Sequence, residues 1–194
     1  MAYDITLEGK NLAEAELLLK NISSLFDKSN ISYWLEGGTL LGIRREGRLL
    51  PWDNDVDISI MEDQSDKLDL LLASLKNAGY RIRIRKFQES SEYFKKGAIR
   101  MIKIRNKSFF GLIKGKVCLD IFVKYAHSGL AFWEIDNKTK SVPEKFYKTF
   151  KKISFKEDQY SIPQLTDEYL SYRYGNWETP KKDWDTSRDD QALN

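Results

Sequence analysis

In "DVDISIM", residues 55–61, Asp55 and Asp57 alternate with Val56 and Ile58, and Asp53 shares their parity just ahead of it. Alternation with period two predicts a β-strand with one apolar face and one face of carboxylates. Side chains two apart on such a strand point the same way, with Cα atoms roughly 6.5–7 Å apart. Like charges this close repel, so Asp55 and Asp57 need either open water or a cation. The chain must therefore build a sheet in which one strand is buried behind and acidic in front.

The sequence on either side supplies the rest of such a sheet. Leu12, Ala15, Leu18, Leu19, Ile22, Leu25 and Phe26 recur at three and four, predicting an amphipathic helix from Gly9 to Lys28. "ISYWLEGG" reads as a strand ended by Gly37 and Gly38, and "TLLGIRREG" as a short helix with Thr39 as cap and Gly47 as stop. A helix closed by Gly79 follows the acidic strand. "RIRIRKF", "IRMIKIRNK" and "KVCLDIFVKYA" read as strands, and "LAFWEI" as a hairpin partner of the last across "HSG". "IPQLTDEYLSYRYG" reads as a helix entered through Pro163 and ended by Gly175, followed by a polar tail. Helices interspersed with strands predict an α+β domain, a mixed sheet with helices packed on it.

Composition narrows the chemistry. Of 194 residues 41% are hydrophobic, enough for one core, and the net charge of +3 does not call for nucleic acid as a partner. With one cysteine, Cys118, and one histidine, His127, neither a disulfide framework nor a His/Cys zinc site is expected. No apolar run reaches about 18 residues, so a cytoplasmic protein without a transmembrane segment is expected.

A metal held here must be held by oxygen, which favours Mg²⁺ or Mn²⁺. Asp120, set in the apolar "VCLDIFV", is the candidate third ligand; an edge-strand aspartate facing water is the plainer alternative. A calcium loop starting at Asp53 fails, since it would need Gly at Ile58 and Glu at Gln64. Gly37 and Gly38, at a strand-to-helix junction, would let a phosphate approach backbone N–H groups, with the Thr39 hydroxyl beside it. The basic positions Arg81, Arg83, Arg85, Arg100, Lys103 and Arg105 suit either an anionic substrate or a solvated strand face.

Gly-Gly, then Asp-x-Asp, then a distant lone aspartate resembles the nucleotidyltransferase superfamily. The longer match is to the LicD family, which includes bacterial phosphocholine transferases and the fukutin and fukutin-related proteins. "GGTLLG" at Gly37–Gly42, Arg45, "PWDNDVDI" at Pro51–Ile58, "LDIF" at 119–122 and "IPQLTDEYLSYRYGNWETP" carry the resemblance, over roughly residues 31–180. Glu46 stands where the family often has His, and Arg48 where Gly is common. The resemblance implies a single domain over 1–194: an N-terminal helix to residue 30, a catalytic core over 31–125, C-terminal strands and helix over 126–180, and a polar tail over 181–194.

It also implies Asp55, Asp57 and Asp120 as catalytic metal ligands. Gly37, Gly38, Thr39, Arg45, Trp52 and Asp53 would bind substrate, Arg45 through donor phosphate and Asp53 as ligand or as supporting cap. The implied reaction moves phosphocholine or an alditol phosphate from a CDP-linked donor to a glycan hydroxyl and releases CMP. Nucleotidyl transfer from an NTP, and a non-catalytic glycan- or nucleotide-binding module, are the alternatives. The resemblance is also compatible with peripheral association at a membrane face.

Overall fold

The computed structural model describes residues 4–108 and 113–193. Helix α1 (Gly9–Lys28) is followed by β1 (Trp34–Leu35), α2 (Gly37–Glu46) and β2 (Val56–Met61). A 3₁₀ turn (Glu62–Lys67) leads into α3 (Leu68–Asn77), β3 (Arg81–Lys86) and β4 (Ile99–Arg105). The short β5 (Lys107–Ser108) and β6 (Ile113–Lys114) form a ribbon of their own, and the chain then enters β7 (Leu119–His127), β8 (Leu130–Ile135) and β9 (Lys138–Pro143). A 3₁₀ turn, the hairpin β10 (Phe150–Phe155) and β11 (Asp158–Pro163), and helix α4 (Thr166–Tyr174) complete the elements.

The described residues build a mixed seven-stranded sheet in the order β1-β2-β7-β4-β3, with β8 and β9 continuing from the far half of β7. β2 and β7 run parallel; their other neighbours are antiparallel. Ile58, Ile121 and Ile102 are register partners across β2, β7 and β4, and all three are fully buried. One residue earlier on β2 and β7, and one later on antiparallel β4, lies the other face, where Asp57, Asp120 and Lys103 form the matching row. Burying an isoleucine stabilises by about 1.5–3 kcal/mol. A one-residue slip would put the charged row into the core, so burial of the isoleucines also fixes where the carboxylates point.

On the apolar side α1 contributes Leu18, Leu19, Ile22 and Phe26, and α3 contributes Leu68, Leu71 and Leu75, to one core with the sheet. The expected span of α1 matches the observed one, because its stripe at three and four is continuous over five turns. Gly47 caps α2 in the left-handed conformation (φ 65°), donating its N–H to the Ile43 carbonyl.

Several local expectations change. The strand read in "ISYWLEGG" narrows to Trp34–Leu35, since Ile31 and Tyr33 are buried by packing and not by a ladder. Helix α2 already begins at Gly37, and its cap is Glu36, whose carboxylate accepts from the Gly37 N–H; Thr39 has another role. Pro163 closes β11, and α4 starts at Thr166. After Thr179 the chain returns to the body: Ser141 donates its N–H to Ala192, Gln191 donates to the Arg173 carbonyl, and Asp190 is buried. Among the described residues no helix is long and apolar enough to cross a membrane.

Candidate functional site

The acidic face of β2 and β7 opens into a cleft of about 1430 Å³. Asp55, just before β2, joins Asp57 and Asp120, and each offers a carboxylate oxygen within 4.8 Å of the others. The parallel register makes this happen, since Asp57 and Asp120 are direct partners and Val56 donates its N–H to the Cys118 carbonyl at 3.0 Å. Burial raises the Asp57 carboxyl well above its ordinary value, and the Asp55 and Asp120 charges push it further. Asp55 is raised for the same reasons, by burial first and then by Asp53 and Asp120. An all-oxygen site whose members repel one another in this way suits a hard divalent cation, which would remove the repulsion.

Each glycine of the pair is required by a carboxylate. A Cβ on Gly37 would lie 2.6 Å from Asp57 Oδ2, and one on Gly38 would lie 2.0 Å from Asp53 Oδ2. Gly37 also holds φ at 56°, in the left-handed region. Thr39 is buried, and its hydroxyl accepts from the Asp57 N–H at 2.9 Å, so it tethers β2 to α2 and does not face the cleft. Asp53 lies outside the trio; its Oδ1 accepts from the Asn54 N–H, and burial lifts its pKa to about 6. Trp52 lines the cleft with the Lys182 ammonium 5.3 Å from its ring centre.

Residues 30–165 match the family model described as the LicD/FKTN/FKRP nucleotidyltransferase domain. The chain belongs to the LicD family. An uncharacterised protein of Rickettsia typhi is 35% identical over 106 residues, 55% of this chain and 27% of that protein. The ribitol-5-phosphate transferase FKTN of Macaca fascicularis is 30% identical over 182 residues, 90% of this chain and 35% of that protein. The lipopolysaccharide cholinephosphotransferase LicD of Haemophilus influenzae is 39% identical over 57 residues, 27% of this chain and 22% of that protein. This chain thus spans about a third or less of the length of these relatives.

In this LicD domain Glu46 and Arg48 are clasped together. Glu46 Oε1 accepts from Arg45 and Oε2 from Arg48, at 2.7–3.1 Å. Arg45 also donates to the Trp177 carbonyl at 3.0 Å, so its guanidinium is fixed at the cleft wall and bridges α2 to the C-terminal segment. Lys103 pairs with Asp120 Oδ2 and the Cys118 thiol lies 3.0 Å from Oδ1, which orients the third carboxylate from both sides.

Sequence patterning missed Glu36, the residue that organises the back of the LicD site. Its carboxylate accepts from Trp34 Nε1 (3.2 Å), Ser59 Oγ (2.9 Å), Arg173 (2.6 Å) and the Tyr169 hydroxyl, and Lys124 lies at 3.2 Å. Burial by itself would raise the Glu36 carboxyl, but Lys124, Arg173, Tyr169 and the Gly37 N–H outweigh it and hold it at about 2. Glu36 also donates its backbone N–H to the Asp57 carbonyl. The available signal was an acid directly before two glycines. Arg173 continues the network to Asp190, which Lys140 also holds at 2.8 Å, so the segment carrying Trp177 and Trp184 becomes a wall of the cleft.

Proposed function

We propose that this domain is a metal-dependent phosphotransferase, moving phosphocholine or an alditol phosphate from a CDP-linked donor to a glycan hydroxyl. The observation that carries the reading is the meeting of Asp55, Asp57 and Asp120 at one point of the cleft. Family membership supports it, as do the named activities of the FKTN and LicD relatives.

In this reading Asp55, Asp57 and Asp120 hold Mg²⁺ or Mn²⁺, which when bound neutralises charge on the donor diphosphate. The N-terminus of α2, opened by Gly37 and Gly38, turns backbone N–H groups toward the donor. The acceptor oxygen forms a bond to the distal phosphorus as the bond to CMP breaks. The hydroxyl proton passes to Asp120, which its ion pair with Lys103 holds in place. Arg45 braces α2 against the Trp177 carbonyl, and Trp52 offers a flat face for a base or sugar ring. On this reading the domain works in the cytoplasm, at or near a membrane face, where a CDP-linked donor reaches it.

The test is incubation with CDP-choline, CDP-ribitol or CDP-glycerol, each against NTPs, with Mg²⁺ and a glycan acceptor. CMP release from a CDP-linked donor supports the reading. Pyrophosphate release from an NTP favours nucleotidyl transfer instead, and silence with every donor favours a binding module.

A further inference from the structure

The floor of the cleft beyond Asp120 is basic, and its charges fall into two groups. On β4, Arg105 donates to the Gly115 carbonyl at 3.1 Å and Lys103 pairs with Asp120. At the bulge of that strand Arg100 pairs with Glu134. On the edge strand β3, Arg81, Arg83 and Arg85 all line the same cleft, yet enter no ion pair or side-chain hydrogen bond with the described residues. The other arginines among the described residues all have a carboxylate or carbonyl partner, exposed ones included, as Arg44 has Asp167 at 2.8 Å and Arg188 has Asp189 at 2.9 Å.

Edge strands carry charge to discourage pairing with another chain. That purpose sets no preference for one face, whereas here the three guanidiniums share the cleft side while Ile82 and Ile84 take the other. Arg83 is the register partner of Lys103, and Lys103 of Asp120. Two strand spacings therefore separate Arg83 from Asp120, roughly 9–10 Å. Along β3 the arginines repeat at roughly 6.5–7 Å, and each guanidinium offers a planar fork suited to phosphate oxygens. An extended chain with three carbons between successive phosphates has a comparable repeat.

We propose that Arg81, Arg83 and Arg85 form a second anion-binding track, which holds an acceptor chain joined by phosphodiesters while its terminal hydroxyl reaches the carboxylate cluster. The assignment of that chain as the acceptor rests on the transferase reading; the track itself does not. The donor diphosphate belongs at the carboxylates, and the track lies two strands away on the far side of Lys103. The acceptor is thus a polyanion, recognised by charge and repeat more than by sugar identity.

The test is calorimetric titration of the full chain in EDTA, which keeps any metal-mediated phosphate binding out of the measurement. The probes are a short poly(glycerol phosphate) oligomer, maltohexaose, and an oligodeoxythymidylate of equal charge. Wild type should bind the glycerol phosphate oligomer and not maltohexaose. The Arg81→Gln/Arg83→Gln/Arg85→Gln variant should bind it at least about 10-fold more weakly, and Arg83→Gln alone should show an intermediate loss. The difference should shrink strongly in about 1 M salt. No binding by wild type, equal binding by the variants, or tighter binding of the oligodeoxythymidylate would overturn the proposal. CDP-ribitol titrated with Mg²⁺ is the separate control: wild type and variant should bind it alike. Failure of both to bind CDP-ribitol, CDP-choline and CDP-glycerol alike, with oligomer binding intact, would remove the acceptor assignment and the transferase reading while leaving the track.

Discussion

Asp57 and Asp120 are register partners on adjacent parallel strands, and each is held by a neighbour that leaves a carboxylate oxygen facing the cleft. Thr39 accepts from the Asp57 N–H, and Lys103 pairs with Asp120. Position here comes from the sheet itself, because the buried row Ile58, Ile121 and Ile102 fixes the register that brings the acids together.

Replacing Asp57 by Asn separates chemistry from folding. With its repulsion from Asp55 removed, the metal-free variant should gain about 1 kcal/mol, a rise in Tm of roughly 2–4 °C for a chain of this size. CMP release from the cognate donor should fall at least about 100-fold. Thermal unfolding in EDTA and a CMP assay in Mg²⁺ check the two arms.

Gly37→Ala should do the opposite to stability. Its Cβ would meet Asp57 Oδ2 at 2.6 Å at a φ of 56°, so a loss of about 1–3 kcal/mol is expected, together with weaker divalent-ion binding. Gly47→Ala, at a positive φ with open space around it, should lower stability by strain alone and leave metal affinity unchanged. Denaturant melts and Mn²⁺ titrations of both variants distinguish the cases.

The pH dependence of metal-free protein should have a maximum on the acid side. Burial raises Asp53 to about 6 in the folded chain, so the folded state binds the extra proton and stability falls as pH rises from about 4 to 6. Glu36, held at about 2, works in the other sense: its stabilisation is complete above its ordinary value near 4.5 and is lost as pH falls toward 2. Stability in EDTA should therefore be greater near pH 5 than at pH 7.5, by about 1 kcal/mol or more, and collapse below about pH 4. Saturating Mg²⁺ should shrink or reverse the first difference. Chemical denaturation across pH with and without the ion measures it.

Asp190→Ala should free the C-terminal wall. It leaves Arg173 and Lys140 buried without their shared carboxylate, at a cost of about 3–5 kcal/mol. Limited proteolysis should then cut within residues 176–193 well before the sheet, and the uncut wild type sets the reference.

Elements governed by short-range pattern were legible in the sequence. The stripe of α1, the alternation of β2 and β3, and the "LAFWEI" hairpin partner all appear where their periodicity places them. The three acids were legible too, because a charge on a strand that is otherwise apolar stands out. Features that depend on distant partners were not. Glu36, Lys124, Lys140 and Arg173 are buried only because the fold brings opposite charges to them, and in the sequence they look like ordinary surface residues. The same cause hid the return of residues 181–193, whose polarity suggested a tail but whose Asp190 finds two buried cations. β9, β10 and β11 fall within the C-terminal strands expected over 126–180 but could not be placed individually, since their lysines and serines break the alternation.

The most direct measurement is Mn²⁺ binding by the purified chain, followed by electron paramagnetic resonance and competed with Mg²⁺. Saturable binding that disappears in Asp57→Asn and in Asp120→Asn, both folded, is the expected result. Unchanged binding in those variants, or none in the wild type, would contradict the assignment of these carboxylates as a metal centre.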